Sequence, residues 1–243
     1  MKIAIDAGHG YHTPGKRTPD GSMREFEFNN AVAKLVKTAL EAYKGVTVKF
    51  THDTTGKTDV ALTTRTNTAN KWGADVLVSI HANAAGNGWS SAHGIETFVY
   101  TSVKQGTETD KLADNVQASL VKATGLTNRG VKRGDLHMVR ETHMTAILVE
   151  CGFMSNKTEA ALLKSSAYRK KVAQAIVDGI VKTYGLKKEQ SAKPASKSTH
   201  KVVKGDSLWK IAHDNGTTVD KLKALNKGVD LEPLRIGLTI KIK

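Results

Sequence analysis

Hydrophobic positions in the first 185 residues follow two alternating rhythms. Short continuous apolar runs, rich in β-branched residues, predict buried strands: Lys2-Ile-Ala-Ile-Asp6, Val46-Thr-Val-Lys-Phe-Thr51, Asp75-Val-Leu-Val-Ser-Ile-His81, Ile95 to Tyr100 and Ala146-Ile-Leu-Val-Glu150. Between them, apolar residues recur at the three-and-four spacing of one helix face. Val32, Leu35, Val36, Ala39, Leu40 and Tyr43 mark a helix from about Glu27 to Tyr43. Further helices are predicted over Val60 to Trp72, Asp110 to Ala123, and Ala167 to Tyr184, the last burying Tyr168, Val172, Ala175, Ile176 and Ile180. Gly185 stands where that helix should stop. The order predicts an α/β fold, a mixed and mostly parallel sheet flanked by helices.

The pattern then breaks. Residues 186–199 carry almost no large apolar side chain and read as a flexible linker between a domain of residues 1–185 and a second of residues 200–243. In the second piece Val202 and Val203 fit a strand, Leu208, Ile211 and Ala212 a helix, Val219, Leu222 and Leu225 another, and Ile240 and Ile242 a closing strand. Asp206 or Ser207 can cap the first helix and Thr217 or Thr218 the second, giving the order β-α-α-β. Trp209 offers a ligand platform, but its place among Leu208, Ile211 and Ala212 favours a core position.

Composition narrows the class. With 39% hydrophobic and 25% charged residues, the chain reads as an ordinary globular protein, and no apolar stretch approaches the roughly 20 residues that span a bilayer. Met1-Lys2 leads straight into a strand rather than a signal peptide, so synthesis in the cytoplasm is expected. The single Cys151 excludes an internal disulfide and is expected to be a buried reduced thiol. The net charge of +14 is spread over both domains and the linker, and aromatics are only 5%. Nucleic-acid readers concentrate charge beside stacking aromatics, so the expected anionic partner is another polymer such as a cell wall. No nucleic acid, no membrane and a monomer are expected.

Three of the strands end near residues that hold or activate a metal-bound water: His9, His81 and Glu150. Working residues of open α/β sheets collect where strands end, so the three are expected to converge on a hydrolytic metal site. Catalytic zinc takes three protein ligands and leaves one position open. Glu25 is the candidate third ligand, with Glu27 as its rival; Glu25 is preferred because it precedes the regular helix, where a loop can carry it toward His9. Gly8 and Gly10 are expected to permit the turn presenting His9.

These segments resemble a known family. Ile5-Asp-Ala-Gly-His-Gly10, Arg24-Glu-Phe-Glu-Phe-Asn-Asn-Ala-Val-Ala33, Arg65 with Ala69-Asn70, Ser79-Ile-His-Ala-Asn83, Gly94-Ile-Glu-Thr97 and Val149-Glu-Cys-Gly-Phe-Met-Ser-Asn156 are similar, in order, to the motifs of zinc-dependent N-acetylmuramoyl-L-alanine amidases of the amidase-3 type. The resemblance implies one Zn²⁺ held by His9, Glu25 and His81, with Glu150 as the catalytic carboxylate. It implies hydrolysis of the amide between N-acetylmuramic acid and L-alanine of the peptidoglycan stem, by water whose pKa zinc brings to about 7. Arg65, Asn83 and Glu96 would order the site or contact the stem peptide. Two stretches depart from the family pattern: Tyr11 to Pro19 is bulkier and more basic, and His52 stands where relatives commonly place Arg.

The C-terminal piece resembles a LysM module in Val202 to Ala212, Thr218 to Asn226 and Ile236 to Ile242. That implies binding of N-acetylglucosamine-containing glycan, with contacts from Gly205, Asp206, Ser207 and the stretch Leu234 to Ile236. Here Ile236 and Leu238 replace the family's Pro-Gly-Gln pattern. A phage endolysin is the expected role, with a mother-cell or prophage autolysin as the alternative. From other classes, a non-catalytic wall-binding protein would lack one of the four site residues, and a basic metallonuclease would show a carboxylate-rich Mg²⁺ site.

Overall fold

The computed structural model describes residues 1–189 and 199–242. The chain divides into two compact units, Met1–Glu189 and Gln190–Lys243. In the first, chain order runs β1 (Lys2–Ala7), α1 (Glu25–Leu40), β2 (Thr47–Phe50), α2 (Leu62–Trp72), β3 (Val76–Asn83), β4 (Ile95–Val99), α3 (Glu108–Thr124), β5 (Asn128–Arg133), α4 (His137–Arg140), β6 (Thr145–Phe153), α5 (Lys157–Lys164) and α6 (Ser166–Tyr184). The six strands form one sheet in the order β2-β1-β3-β6-β4-β5, parallel except where β4 meets β6. No described helix is long and apolar enough to cross a membrane.

Alternation along each strand sorts residues to two faces. Ile3, Ile5, Val76, Val78, Ile80, Ile147 and Val149 pack with α1, α3 and α6 in the large core. Ala4, Leu77 and Leu148 pack with Ala69 and Met138 of α2 and α4 in a thinner one. Asp6, Ser79, His81 and Glu150 continue that thinner face toward the carboxyl ends of their strands, and register pairs Asp6 with Ser79 and His81 with Glu150. The sheet itself therefore assembles a polar cluster.

Several boundaries differ from expectation. α1 starts at Glu25 and stops at Leu40; Tyr43 is buried, but in the following turn, where its N–H reaches the carbonyl of Leu40. β6 runs past Glu150 to Phe153 because Cys151 and Phe153 are also buried, so Glu150 lies within the strand and does not close it. β5, α4 and α5 carried no apolar run to betray them. β5, Asn-Arg-Gly-Val-Lys-Arg, is a charged edge strand of the kind that resists pairing with other chains. α5 is announced only by Asn156, whose side chain accepts from the N–H groups of Thr158 and Glu159.

The linker also starts later than its composition suggests. The N–H of Leu186 donates to Val181, the carbonyl of Lys187 accepts from Lys44, and the N–H of Glu189 donates to Ala42. The rest of the linker expectation, residues 190–198, lies outside the described residues, and Thr199 already belongs to a strand.

The second unit has β7 (Thr199–Lys201), α7 (Leu208–Asp214), α8 (Val219–Leu225) and β8 (Thr239–Lys241), the expected β-α-α-β order with β7 antiparallel to β8. Its first strand lies just before Val202, which is buried, while Val203 is exposed. Val202, Ile211, Ala212, Leu222, Leu231, Ile240 and Ile242 form a small separate core. Ser207 and Thr218 are the helix caps, accepting from Lys210 and Lys221. Trp209 departs from the core assignment: it is 67% exposed and stacks on His213 at 5.1 Å. Asp206 accepts from the N–H of Val203 and pairs with His200, so Asp206 and Ser207 are engaged in holding the loop, while Gly205 and Ile236 are exposed.

Candidate metal centre

His9 follows β1 with φ of 65°, a left-handed backbone found at no other non-glycine residue described. Gly8 and Gly10 were expected to supply the turn's freedom, but neither has positive φ. Their role is close approach. A Cβ on Gly8 would lie 2.0 Å from Cε1 of His81, and one on Gly10 would lie 2.8 Å from Cα of Asp59. Gly8→Ala is therefore expected to push the His81 ring aside and weaken metal binding by at least about tenfold, a shift of ring position costing no less than a lost outer partner. Metal titration alongside thermal melting would check it.

Arg65 holds this turn from beneath. Its guanidinium is 1% exposed, and all five N–H donors are used within the protein. Nε donates to the carbonyl of Val60 at 2.7 Å, Nη1 to Asp6 Oδ1 at 2.9 Å and Ala7 O at 2.6 Å, and Nη2 to His9 O at 2.9 Å and Asp59 Oδ1 at 3.3 Å. No donor remains for a stem peptide, so of the two roles expected of Arg65 the structure gives it the ordering of the site and leaves no substrate contact. His52, given no role from sequence, also helps fix the strand end: its Nδ1 accepts from the N–H of Ala7 at 3.0 Å, and burial pushes its pKa down to about 4.

Glu25 is the first residue of α1 and is 2% exposed. Glu25 thus lies within the helix and not before it as expected, yet Glu27 is excluded for a different reason: its carboxylate turns back to accept from the N–H of Arg24 at 2.6 Å. Glu25 reaches over the ends of β1 and β3. Its Oε1 accepts from Ala82 N and Asn29 Nδ2, both at 3.2 Å, and lies 3.1 Å from His81 Nδ1, while Oε2 lies 3.3 Å from His9 Nε2. Burial alone would raise the carboxyl's pKa, but the hydrogen bond and charge of His81, with His9, hold it below the usual range. Burial lowers His9 to about 4, so its imidazole is neutral and its lone pair available.

The donor atoms of His9, Glu25 and His81 all lie within 4.8 Å of one another. Donors placed tetrahedrally about one ion at about 2.0–2.1 Å are separated by roughly 3.3 Å, close to the two contacts Glu25 makes. Two imidazoles and a carboxylate thus form a fitting three-point cradle for a divalent cation. Glu150 stands beside it. Burial pushes its carboxyl up to about 8, and among the described residues nothing hydrogen-bonds its Oε2. His9, His81 and Glu150 open on a cleft of about 450 Å³ whose wall includes Lys16, Leu62, Leu136 and Met138.

Asn83 sits behind Glu150 rather than on the ligands. Its Nδ2 donates to Glu96 Oε1 at 2.7 Å, and its own Oδ1 accepts from Ala84 N. Glu96 faces Glu150 across β4 and β6, and its other oxygen accepts from Arg129 at 2.6 Å and from Lys132. Arg129 and Lys132 were missed from sequence because β5 has no apolar rhythm; the cue that existed was their charge opposite a buried strand. Cys151 is buried and free, as expected of a core thiol.

Both units match known proteins. Residues 3–182 match the Amidase_3 family, N-acetylmuramoyl-L-alanine amidase, and residues 200–243 match the LysM domain. The N-acetylmuramoyl-L-alanine amidase CwlM of Bacillus licheniformis is 35% identical over 79% of this chain and 72% of its own. The endolysin of Bacillus phage SPP1 is 32% identical over 98% of this chain and 94% of its own. The solved catalytic domain of the amidase CwlV from Bacillus (Paenibacillus) polymyxa superposes with a TM-score of 0.69 at 35% identity, over 76% of this chain and 99% of that one. The two units thus answer to two separate families, and the chain belongs to the N-acetylmuramoyl-L-alanine amidases of the Amidase_3 family, peptidoglycan hydrolases, with a LysM domain following the catalytic one.

Proposed function

We propose that the enzyme is zinc-dependent and serves as an endolysin, cutting the amide between N-acetylmuramic acid and L-alanine while its LysM domain holds N-acetylglucosamine-containing glycan. The observation that carries the catalytic half is the convergence of His9, Glu25 and His81 beside the unpartnered carboxyl of Glu150. The chemistry Zn²⁺ supplies when bound there is Lewis-acid polarisation of the amide carbonyl and a nucleophilic water near neutral pH. Glu150 takes the proton of the attacking water and returns it to the leaving amine of L-alanine. Its buried setting suits that exchange, since a carboxyl raised toward neutrality both accepts and gives up a proton readily. Glu96, kept ionised by Lys132 and Arg129 against the opposing effect of burial, holds Asn83 in place behind it.

Purified Gram-positive walls treated with the enzyme should release new amino groups without new reducing ends. A chelator should abolish that release and added Zn²⁺ restore it. Reducing ends, or indifference to chelation, would overturn the reading.

The endolysin role is supported by the phage SPP1 relative, whose similarity spans nearly all of this chain. Synthesis in the cytoplasm and release at lysis go with it. An autolysin has the same chemistry, and appearance of the protein together with a membrane-permeabilising partner late in phage induction separates the two. For the glycan, exposed Trp209 offers the flat apolar face that stacks on a pyranose ring. Trp209→Ala should weaken pelleting with walls by about 1 kcal/mol, roughly fivefold, and leave turnover of a soluble muramyl peptide unchanged.

A further inference from the structure

We infer that Asp6 and Ser79 form a proton-ordering relay that fixes which nitrogen of His81 faces the metal. The inference rests on the metal-centre reading above and on the carboxylate of Asp6. This carboxylate is 1% exposed, and Oδ1 accepts from Thr51 Oγ1 at 2.6 Å and Arg65 Nη1 at 2.9 Å. Its Oδ2 lies 2.7 Å from Ser79 Oγ, and an ionised carboxylate can only accept, so the single hydroxyl proton of Ser79 points at Asp6. Ser79 then has only lone pairs to offer His81 Nε2, 3.1 Å away. Nε2 must carry a proton; the second ring proton, which the Glu25 carboxylate holds on Nδ1 at 3.1 Å, is the one a cation displaces, so Nδ1 is the nitrogen whose lone pair binds it.

Arg65 joins the two imidazole ligands through the same hub. One side of its guanidinium holds the carbonyl of His9, and the other holds the carboxylate that orders His81. Asp6 and Ser79 are positioning residues: neither reaches the cleft's reacting atoms, and both act through a ring. The chain of polarity is Arg65 to Asp6, from which Ser79 and then His81 take their orientation.

The relay makes an unusual demand of Asp6→Asn. Oδ1 of the new amide stays opposite the donors Thr51 and Arg65, so its NH₂ faces Ser79. Ser79 must then accept from the amide and donate to His81 Nε2, which moves the ring proton to Nδ1, the side meant for the metal. Ser79→Ala only removes the preference. The expected order of Zn²⁺ affinity is wild type, then Ser79→Ala, then Asp6→Asn, the last lower than wild type by about 10–100-fold.

The test uses the full chain and two readouts. Competition against a chromogenic chelator gives the Zn²⁺ affinity of the three proteins. Long-range proton–nitrogen NMR gives the protonation of His81 Nε2, in the metal-free proteins and in the loaded wild type. The relay predicts that Nε2 keeps its proton in the wild type with and without metal, whatever proton Nδ1 shares with Glu25, and loses it in Asp6→Asn. A wild-type ring unprotonated at Nε2, or both folded variants binding Zn²⁺ as tightly as the wild type, overturns it. If Asp6→Asn does not fold, Ser79→Ala decides alone: Nε2–H occupancy as high as the wild type's refutes the relay. A wild type that takes no Zn²⁺ refutes the metal reading instead, while the metal-free spectra still judge the relay.

Discussion

Replacing Glu150 with glutamine should lower amide hydrolysis by about 10²–10⁴-fold while leaving Zn²⁺ affinity near that of the wild type. The three donors of the cradle are His9, Glu25 and His81, so the substitution removes no ligand. On the proposed mechanism it does remove the group that carries a proton from water to the leaving amine. Glutamine keeps the size of the side chain within β6, and in the wild type burial already favours the neutral carboxyl. Melting temperature should therefore hold or rise, because no ion pair is broken. Release of amino groups from walls, chelator competition and thermal melting together check the result. Activity within tenfold of the wild type would remove Glu150 from the chemistry, and loss of Zn²⁺ would make it part of the cradle.

Arg65→Met should destabilise the catalytic unit by about 3–5 kcal/mol, the largest stability effect expected of any single change described above. Methionine fills much of the volume but supplies none of the five hydrogen bonds. It abandons the carbonyls of Val60, Ala7 and His9 and leaves the Asp6 carboxylate buried beside Thr51 and Ser79 without its countercharge. Removing Asp6 as well, in Asp6→Leu/Arg65→Met, should recover part of the loss, since the unpaired charge is what costs most.

The effect also has a pH signature. Burial raises the Asp6 pKa, but the charge of Arg65 and the hydrogen bonds of Thr51 and Ser79 outweigh it, so the folded value lies below the usual 3.8. A depressed carboxyl adds stability that is present above its unfolded pKa and disappears as pH falls through the folded one. The wild type should thus lose more stability than Arg65→Met as acid is added below the usual aspartate range. Denaturant unfolding read through Trp72 and Trp89 reports on the catalytic unit, whereas Trp209 reports on the other, which keeps two transitions from being fitted as one.

Sequence exposed the ligands for a physical reason. A buried strand must be apolar until it meets the site, so His9 and His81 stand out where their runs stop, and the helix that shields the sheet brings Glu25 with it. The supports were hidden because they sit inside the same runs. Asp6 and Ser79 look like interruptions of two unrelated strands until β1 and β3 pair in parallel and place them opposite one another. Arg65 was left between ordering the site and touching substrate because nothing in a helix sequence tells whether a guanidinium points outward or down onto a turn. β5 was invisible because an edge strand needs no apolar face. Trp209 misled in the opposite direction: Ile211 and Ala212, with Leu208, already complete the inward face of α7, and the tryptophan falls to its side.

The backbone pairing of Lys187 to Glu189 against Ala42 to Lys44, in the turn beyond α1, has a practical meaning for engineering. Wall hydrolases invite exchange of their targeting modules, and the natural seam would seem to be Gly185, where the last helix stops. Cutting there would unzip the short bridge between Tyr43 and Lys188 and leave a raw edge on the hydrolase. A chimera that changes which bacterium is attacked should splice after Glu189, carrying that clasp with the enzyme it closes.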